Sequence, residues 1–348
     1  MVEAIFETSL LVSVDLISIP FITYLLFVGV VLYIIFKKYK KVNVNQLKSP
    51  LIILAILGIA TYFIIEAKRH DTFNSRLPYV VFSSVVEFFE EEDLQLLPIN
   101  TNVKAVVNDI NFIFILGESV RADHIQLNGY NRETSPKLFK RKNIISYSDL
   151  YTPLTHTAAS VKQLLTNKSV NDIVKSNKVY SLFSILNKSN YKTSWIGNST
   201  IVKSYAPIIR SNQHVELIDK FRSIMSFNKA LDEEMLQPFD SVLKTSKNQF
   251  ITLHMTGSHW YYENRYSAEF RKFTPVTDSK YIPSLGPQEI INSYDNTLVY
   301  LDNFIDTVIA SVEKTHTKSI VMYVSDHGEI LGEDGRWLHA QESEVSKN

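Results

Sequence analysis

Glu118, His254, His259, Asp326 and His327 each follow closely on a short, strand-like apolar run. NFIFIL (111–116) leads into Gly117-Glu118-Ser119, FITLH (250–254) into a turn ending at His259, and SIVMYV (319–324) into Ser325-Asp326-His327-Gly328-Glu329. Carboxylates and imidazoles are oxygen and nitrogen ligands for a metal ion. The chain has no cysteine, which excludes thiolate metal sites and disulfide frameworks. Zinc accepts such ligands in tetrahedral geometry, and a catalytic zinc keeps one position for the reacting group. Glu118, Asp326 and His327 supply three ligands. A hydroxyl suits the fourth place, because zinc lowers its pKa and makes it a nucleophile near neutral pH. Thr152, Thr155, Thr157 and Ser160 all lie in one stretch that leads through small residues into a helical pattern. Chemistry alone does not choose among them, since each is also a good helix cap.

The elements that must position these groups are legible from about residue 110 onward. Short apolar runs at 111–116, 194–196, 250–254 and 319–324 alternate with helical patterns. Such alternation predicts an α/β domain with a mostly parallel sheet flanked by helices. Ile291, Tyr294, Leu298, Leu301, Ile305, Val308 and Ile309 recur at helical spacing and predict one long helix against that sheet. In open α/β sheets ligands bind beyond the carboxyl ends of the strands, which is where the candidate ligands fall.

Residues 1–67 have another composition. Ile17 to Phe36 is twenty residues without a charge, enough at about 1.5 Å per residue to cross a hydrocarbon core of about 30 Å. A second apolar run occupies about 50–66. Between them Lys37, Lys38, Lys40, Lys41 and Lys48 predict a loop that stays in the cytoplasm, placing everything after it on the opposite side. The expected organisation is a two-helix membrane anchor over 1–67, with spans at about 17–36 and 50–66. An amphipathic connector over 68–108 lies at the membrane interface, and a catalytic domain covers 109–348. The 36 basic and 36 acidic residues cancel, leaving no global charge to recruit nucleic acid.

GESVRADHIQLNGYNRETSPKL, THTAASV, GSHWYYENRY, SYDNTLVYLD and SDHGEILGEDGRWLHA resemble the phosphoethanolamine transferases of Gram-negative envelopes. These are a membrane-anchored branch of the alkaline phosphatase and sulfatase superfamily. The resemblance spans roughly residues 70–340 and implies an alkaline-phosphatase/sulfatase-like domain. Carried over by motif, it implies a zinc site of Glu118, Thr157, Asp326 and His327, with Thr157 the nucleophile; one zinc is expected, with room for a second. It also implies that His254, His259 and His339 meet the phosphoryl group, the head group or the second metal, with His259 or His339 moving a proton. Asn198 and Lys203 fall at the family's spacing for phosphoryl contacts.

The implied donor is phosphatidylethanolamine, and the implied acceptor is lipid A, lipopolysaccharide core or another envelope glycan. The implied location is the inner membrane, with the catalytic domain in the periplasm. Departures from the family pattern are fewer membrane helices, Pro153 where a cysteine commonly stands, and an end soon after LHA. The chain is thus expected to lack N-terminal helices and part of the domain's C-terminus. The rival readings are a phosphoglycerol transferase, a phosphate-ester hydrolase and an inactive remnant.

Overall fold

Ile110–Gly117 is rich in isoleucine and phenylalanine because both of its faces are buried. The computed structural model describes residues 19–39, 52–53, 56–60, 94–169, 177–198, 201–219 and 230–339. The chain divides into two compact units, Met1–Glu91 and Glu92–Asn348.

In the first unit, helix α1 covers Ile19–Tyr39 and ends on Lys37 and Lys38. Its apolar side chains from Ile22 to Phe36 are largely exposed. Among the described residues, no helix is long and apolar enough to cross a membrane. The second expected span and the amphipathic connector lie mostly outside the described residues.

The second unit opens with a small parallel pair, β1 (Gln95–Leu96) on β3 (Lys178–Val179). The main sheet contains β2 (Ile110–Gly117), β4 (Lys192–Gly197), β5 (His214–Leu217), β6 (Gln249–His254) and β7 (Lys318–Ser325), in the order β5-β4-β6-β2-β7. Every pairing within it is parallel. The four strands expected from sequence are all present. β5 was not anticipated: it is four residues at the sheet edge, HVEL, with two polar positions that mask its strand character.

Burial on both faces explains why the central strands read as continuous apolar runs rather than alternations. Ile113 and Ile115 join a core with Tyr294, Leu298, Phe304 and Val308 of helix α7 (Pro287–Glu313). Phe114 and Leu116, on the other face, pack with Val161 and Leu165 of helix α3 (Thr157–Leu165) and with Phe183 and Trp195. A short antiparallel hairpin, β8 (Ile330–Leu331) and β9 (Trp337–Leu338), follows β7.

The long helix expected from its apolar spacing also carries buried carboxylates. Asp295 and Asp302, seven residues apart, share a face of α7 and tether the chain after β2. Asp302 accepts from the backbone N–H groups of Lys137 (2.8 Å) and Leu138 (2.8 Å) at the start of helix α2 (Pro136–Lys140). Asp295 is fully buried and meets His124 Nδ1 at 2.7 Å, the Tyr130 hydroxyl at 3.0 Å and Arg132 at 2.6 Å. Removing one partner of a buried charged network strands the others. Asp295→Ala should therefore cost about 3 kcal/mol and lower the thermal midpoint by roughly 6–12 °C. An unchanged midpoint would show that the network does not hold the segment.

Candidate active site

Parallel register brings the ligand candidates to one level. Leu116 pairs with His254 and Gly117 with Ser325, and the ladder continues one step past the strands. Met255 N–H donates to Leu116 O (3.0 Å), Asp326 N–H to Gly117 O (3.1 Å) and Ser258 N–H to Glu118 O (3.0 Å). Three loops leave the sheet side by side, each carrying its polar residues to the same edge.

The local backbone is shaped to this task. Ser119 sits at φ 60°, a left-handed conformation that costs a β-carbon-bearing residue roughly 1–3 kcal/mol. The surroundings hold it there: its N–H donates to Asp326 Oδ1 (3.3 Å), its hydroxyl to Glu118 Oε1 (2.7 Å), and the Tyr294 hydroxyl to its carbonyl (2.8 Å). Gly257 has φ 53°, and a β-carbon there would lie 2.9 Å from the Glu118 backbone and its β-carbon. Only glycine lets the turn after β6 lie against Glu118.

Ligand atoms of Glu118, Asp326 and His327 lie within 4.8 Å of one another, as do those of Glu118, His259 and His339. All but the half-buried His339 are buried. His327 Nδ1 lies 2.8 Å from the Gly328 carbonyl, so it carries the proton and Nε2 faces the carboxylates. Nε2 is 3.1 Å from Glu118 Oε1 and 3.5 Å from Asp326 Oδ2. Yet Nε2 and Asp326 Oδ2 both lack hydrogen-bonding geometry to any partner. A buried imidazole set against two carboxylates needs positive charge between them, either a proton on Nε2 or a metal ion that Nε2 and the carboxylates share, so the donor set fits a divalent metal.

The protein's own groups show the same tension. Burial works to raise the Glu118 carboxyl, but His327, with His259 and His339, holds it well below the usual carboxylate range. Burial and the neighbouring Glu118 push Asp326 up to about 7. His327 resists the downward pull of burial and is raised to about 10 by Asp326 and Glu118. His259 is driven down to about 3 by burial and by His339.

Of the four candidate hydroxyls, that of Thr157 donates to Glu118 Oε2 at 2.8 Å. Thr157 is the first residue of α3. Ser160 donates back to the His156 carbonyl (3.0 Å), Thr152 accepts from Leu154 N–H (3.1 Å), and Thr155 is buried. His339 follows β9, with its ring 4.7 Å from that of His327 and 5.1 Å from that of His259.

The remaining expected residues belong to neither ligand set. His254 is buried with its ring 5.1 Å from that of Trp195. Asn198 is fully buried, its amide donating to the Ala230 carbonyl (2.7 Å) and to Asp232 (2.9 Å). Lys203 is exposed at the start of a turn that packs on α3.

Two residues had no role assigned from sequence. Asp232 is buried and accepts from Thr256 N–H and Gly257 N–H (both 2.9 Å), fixing the turn that carries His259. It stands in DEEM, where the residue pattern does not separate a buried acid from its neighbours. Glu329 is fully buried, with Oε2 3.5 Å from His339 Nδ1. It was in view within SDHGE, but its partner was ten residues away across a hairpin.

The sulfatase family profile matches residues 110–348. The chain is 32% identical over 239 residues to phosphatidylethanolamine transferase Mcr-2 of Escherichia coli, covering 65% of this chain and 44% of that protein. The chain thus spans less than half the length of this curated relative. The soluble domain of lipooligosaccharide phosphoethanolamine transferase A from Neisseria meningitidis superposes with a TM-score of 0.62. Its identity is 31%, over 73% of this chain and 78% of that one. The integral membrane protein EptA from the same organism gives 0.72 at 27% identity, over 99% of this chain and 69% of that one. The C-terminal periplasmic domain of EptC from Escherichia coli, solved in complex with Zn, gives 0.59 at 26% identity, over 68% and 69%. With its parallel sheet and the groups gathered at the strand ends, this chain belongs to the sulfatase family, within the branch of the phosphoethanolamine transferases.

Proposed function

We propose that this chain moves phosphoethanolamine from phosphatidylethanolamine to lipid A or the lipopolysaccharide core, through a covalent phosphothreonine at Thr157. The observation that carries this reading is the 2.8 Å hydrogen bond from the Thr157 hydroxyl to Glu118, inside a carboxylate–imidazole cluster suited to zinc. Names of the relatives favour the same chemistry: Mcr-2 is a phosphatidylethanolamine transferase and the Neisseria protein a lipooligosaccharide phosphoethanolamine transferase. EptC crystallised with zinc supports zinc as the metal.

Glu118, Asp326 and His327 would hold the ion together with Thr157 Oγ1. When bound, zinc lowers the pKa of the Thr157 hydroxyl and offsets charge on the phosphoryl oxygens. Glu118 Oε2 orients that hydroxyl and takes its proton as Oγ1 attacks phosphorus. The bond from phosphorus to the diacylglycerol oxygen breaks, and that oxygen leaves with a proton supplied by His339, which Glu329 favours in its protonated form against the pull of burial, with the neutral His259 beside it. In the second half, an acceptor oxygen gives up its proton to the same pair and attacks phosphorus. Thr157 Oγ1 then departs and recovers its proton. His254, Asn198 and Lys203 are assigned to the phosphoryl and head groups.

The location proposed is the inner membrane, with the catalytic domain in the periplasm. Its supports are the apolar helix α1 ending on Lys37 and Lys38, the lysines that follow it, and the membrane and periplasmic relatives.

Intact-mass analysis of the full chain exposed to phosphatidylethanolamine should show one added phosphoethanolamine, and Thr157→Ala should show none. An adduct persisting in that variant would overturn the nucleophile assignment. Free phosphoethanolamine with no acceptor modified would favour hydrolysis over transfer. The metal assignment is tested separately by elemental analysis after dialysis. Wild type should retain zinc stoichiometrically, while Asp326→Ala and His327→Ala lose affinity by at least ~10²-fold. Folded wild-type protein that holds no zinc would refute it.

A further inference from the structure

Just upstream of Thr157 the chain exposes apolar side chains that its core does not use. Ile145, Tyr147, Leu150 and Tyr151 are 78%, 74%, 60% and 75% exposed, all within seven residues and in a segment with no helix or strand. Isolated exposed apolar residues need no explanation, but a run of large ones beside a functional site does. The segment's position is fixed at both ends: the Ser146 hydroxyl donates to Asn128 Oδ1 at 2.6 Å, and the chain then enters α3 at Thr157. Asn128 in turn donates to the Ala122 carbonyl (2.8 Å), a few residues from Glu118. The run lies six to twelve residues before Thr157 in the chain.

We propose that residues 145–151 are a membrane-seating loop that inserts into the headgroup region of a phospholipid bilayer and brings Thr157 to the lipid surface. Three observations favour a lipid surface over a protein partner. The large exposed side chains are aliphatic or tyrosine, whose rings have an apolar body and a polar tip suited to the bilayer interface, and the exposed Ser146, Ser148 and Asp149 between them suit the polar headgroup level. Lys140 and Lys142, just before the loop, are exposed and in no ion pair among the described residues, which complements an anionic leaflet. The irregular backbone offers neither a strand edge for pairing nor a helix face for a groove. The chain also carries the apolar helix α1, whose side chains are largely exposed. This inference rests on the reading of a phospholipid as donor, but insertion can be measured without turnover.

The absence of cysteine makes the experiment clean, since a single introduced thiol is the only one labelled. Full chain bearing Ile145→Cys or Tyr151→Cys, spin-labelled and reconstituted in vesicles of phosphatidylethanolamine and phosphatidylglycerol, should be accessible to oxygen and shielded from a water-soluble nickel chelate. Val106→Cys serves as the control: its site is 98% exposed and precedes the amino end of β2, so the chelate should reach it freely. Adding Thr157→Ala should leave both patterns unchanged. In a second arm, the triple variant Ile145→Ser, Leu150→Ser, Tyr151→Ser should lose about 10-fold in transfer from vesicle-embedded donor. It should keep turnover on a short-chain, water-soluble phosphatidylethanolamine. Chelate access at 145 and 151 equal to that at 106 would overturn the proposal. So would shielding from both reagents, which would mean that protein covers the loop. Seated labels without turnover on either donor would instead count against the transferase reading alone.

Discussion

The site depends on carboxylates taken out of water and aimed at one another. Glu118 is fully buried and Asp326 nearly so, and Coulomb repulsion between such groups is far stronger in a protein interior than in solvent. Left to themselves, two such groups would keep a proton or open to water. Here the His327 imidazole lies against both, and its own orientation is fixed by the Gly328 carbonyl. Much else follows from holding that arrangement: the left-handed Ser119, the glycine at 257 and the Tyr294 hydroxyl that bonds to the backbone on both sides of the bend. Those features serve no purpose in a sheet that merely ends. They make sense where the chain must keep a cation-binding set rigid before the cation arrives.

Rigidity is supplied from both sides of the sheet. On one face, α7 contributes Tyr294 to the bend after Glu118 and, further along, Asp295 and Asp302 to the segment from His124 to Leu138. On the other, Val161 and Leu165 anchor α3 against Phe114 and Leu116 of the strand that carries Glu118. The Thr157–Glu118 hydrogen bond thus joins a strand end to a helix start whose relative positions are set by the same buried side chains. Catalytic geometry and core packing are, in this region, a single set of contacts.

How much of this was legible in the sequence divides along a physical line. Buried strands advertise themselves, so 111–116, 250–254 and 319–324 could be placed and the residues after them picked out as candidate ligands. Their convergence required only that the strands be parallel and near one another. β5 escaped because HVEL at a sheet edge need not be apolar. Asp232 escaped because a buried acid within an acidic run looks like a solvated one until its hydrogen-bond donors are known. Asn198 shows the same limit from the other direction: its place in the family's spacing was readable, but its contact with Asp232 was not. Long-range pairing of polar side chains leaves no periodic trace.

The choice among the four hydroxyls illustrates why geometry adds something that spacing cannot. Threonine and serine in a short stretch before a helix are chemically equivalent on paper, and each can satisfy a backbone group. In the folded chain the Thr152 and Ser160 hydroxyls do so locally, as such side chains generally do near helix starts. Thr157 differs by reaching thirty-nine residues back to a buried carboxylate. A hydroxyl that bypasses nearby backbone to donate to an acid has its lone pairs turned away from that acid, toward whatever occupies the cleft. That orientation is needed for attack on phosphorus, and it depends on the position of Glu118 more than on the identity of the residues around Thr157. Anything that shifts the bend at Ser119 should therefore disturb Thr157 and the carboxylate–imidazole cluster together.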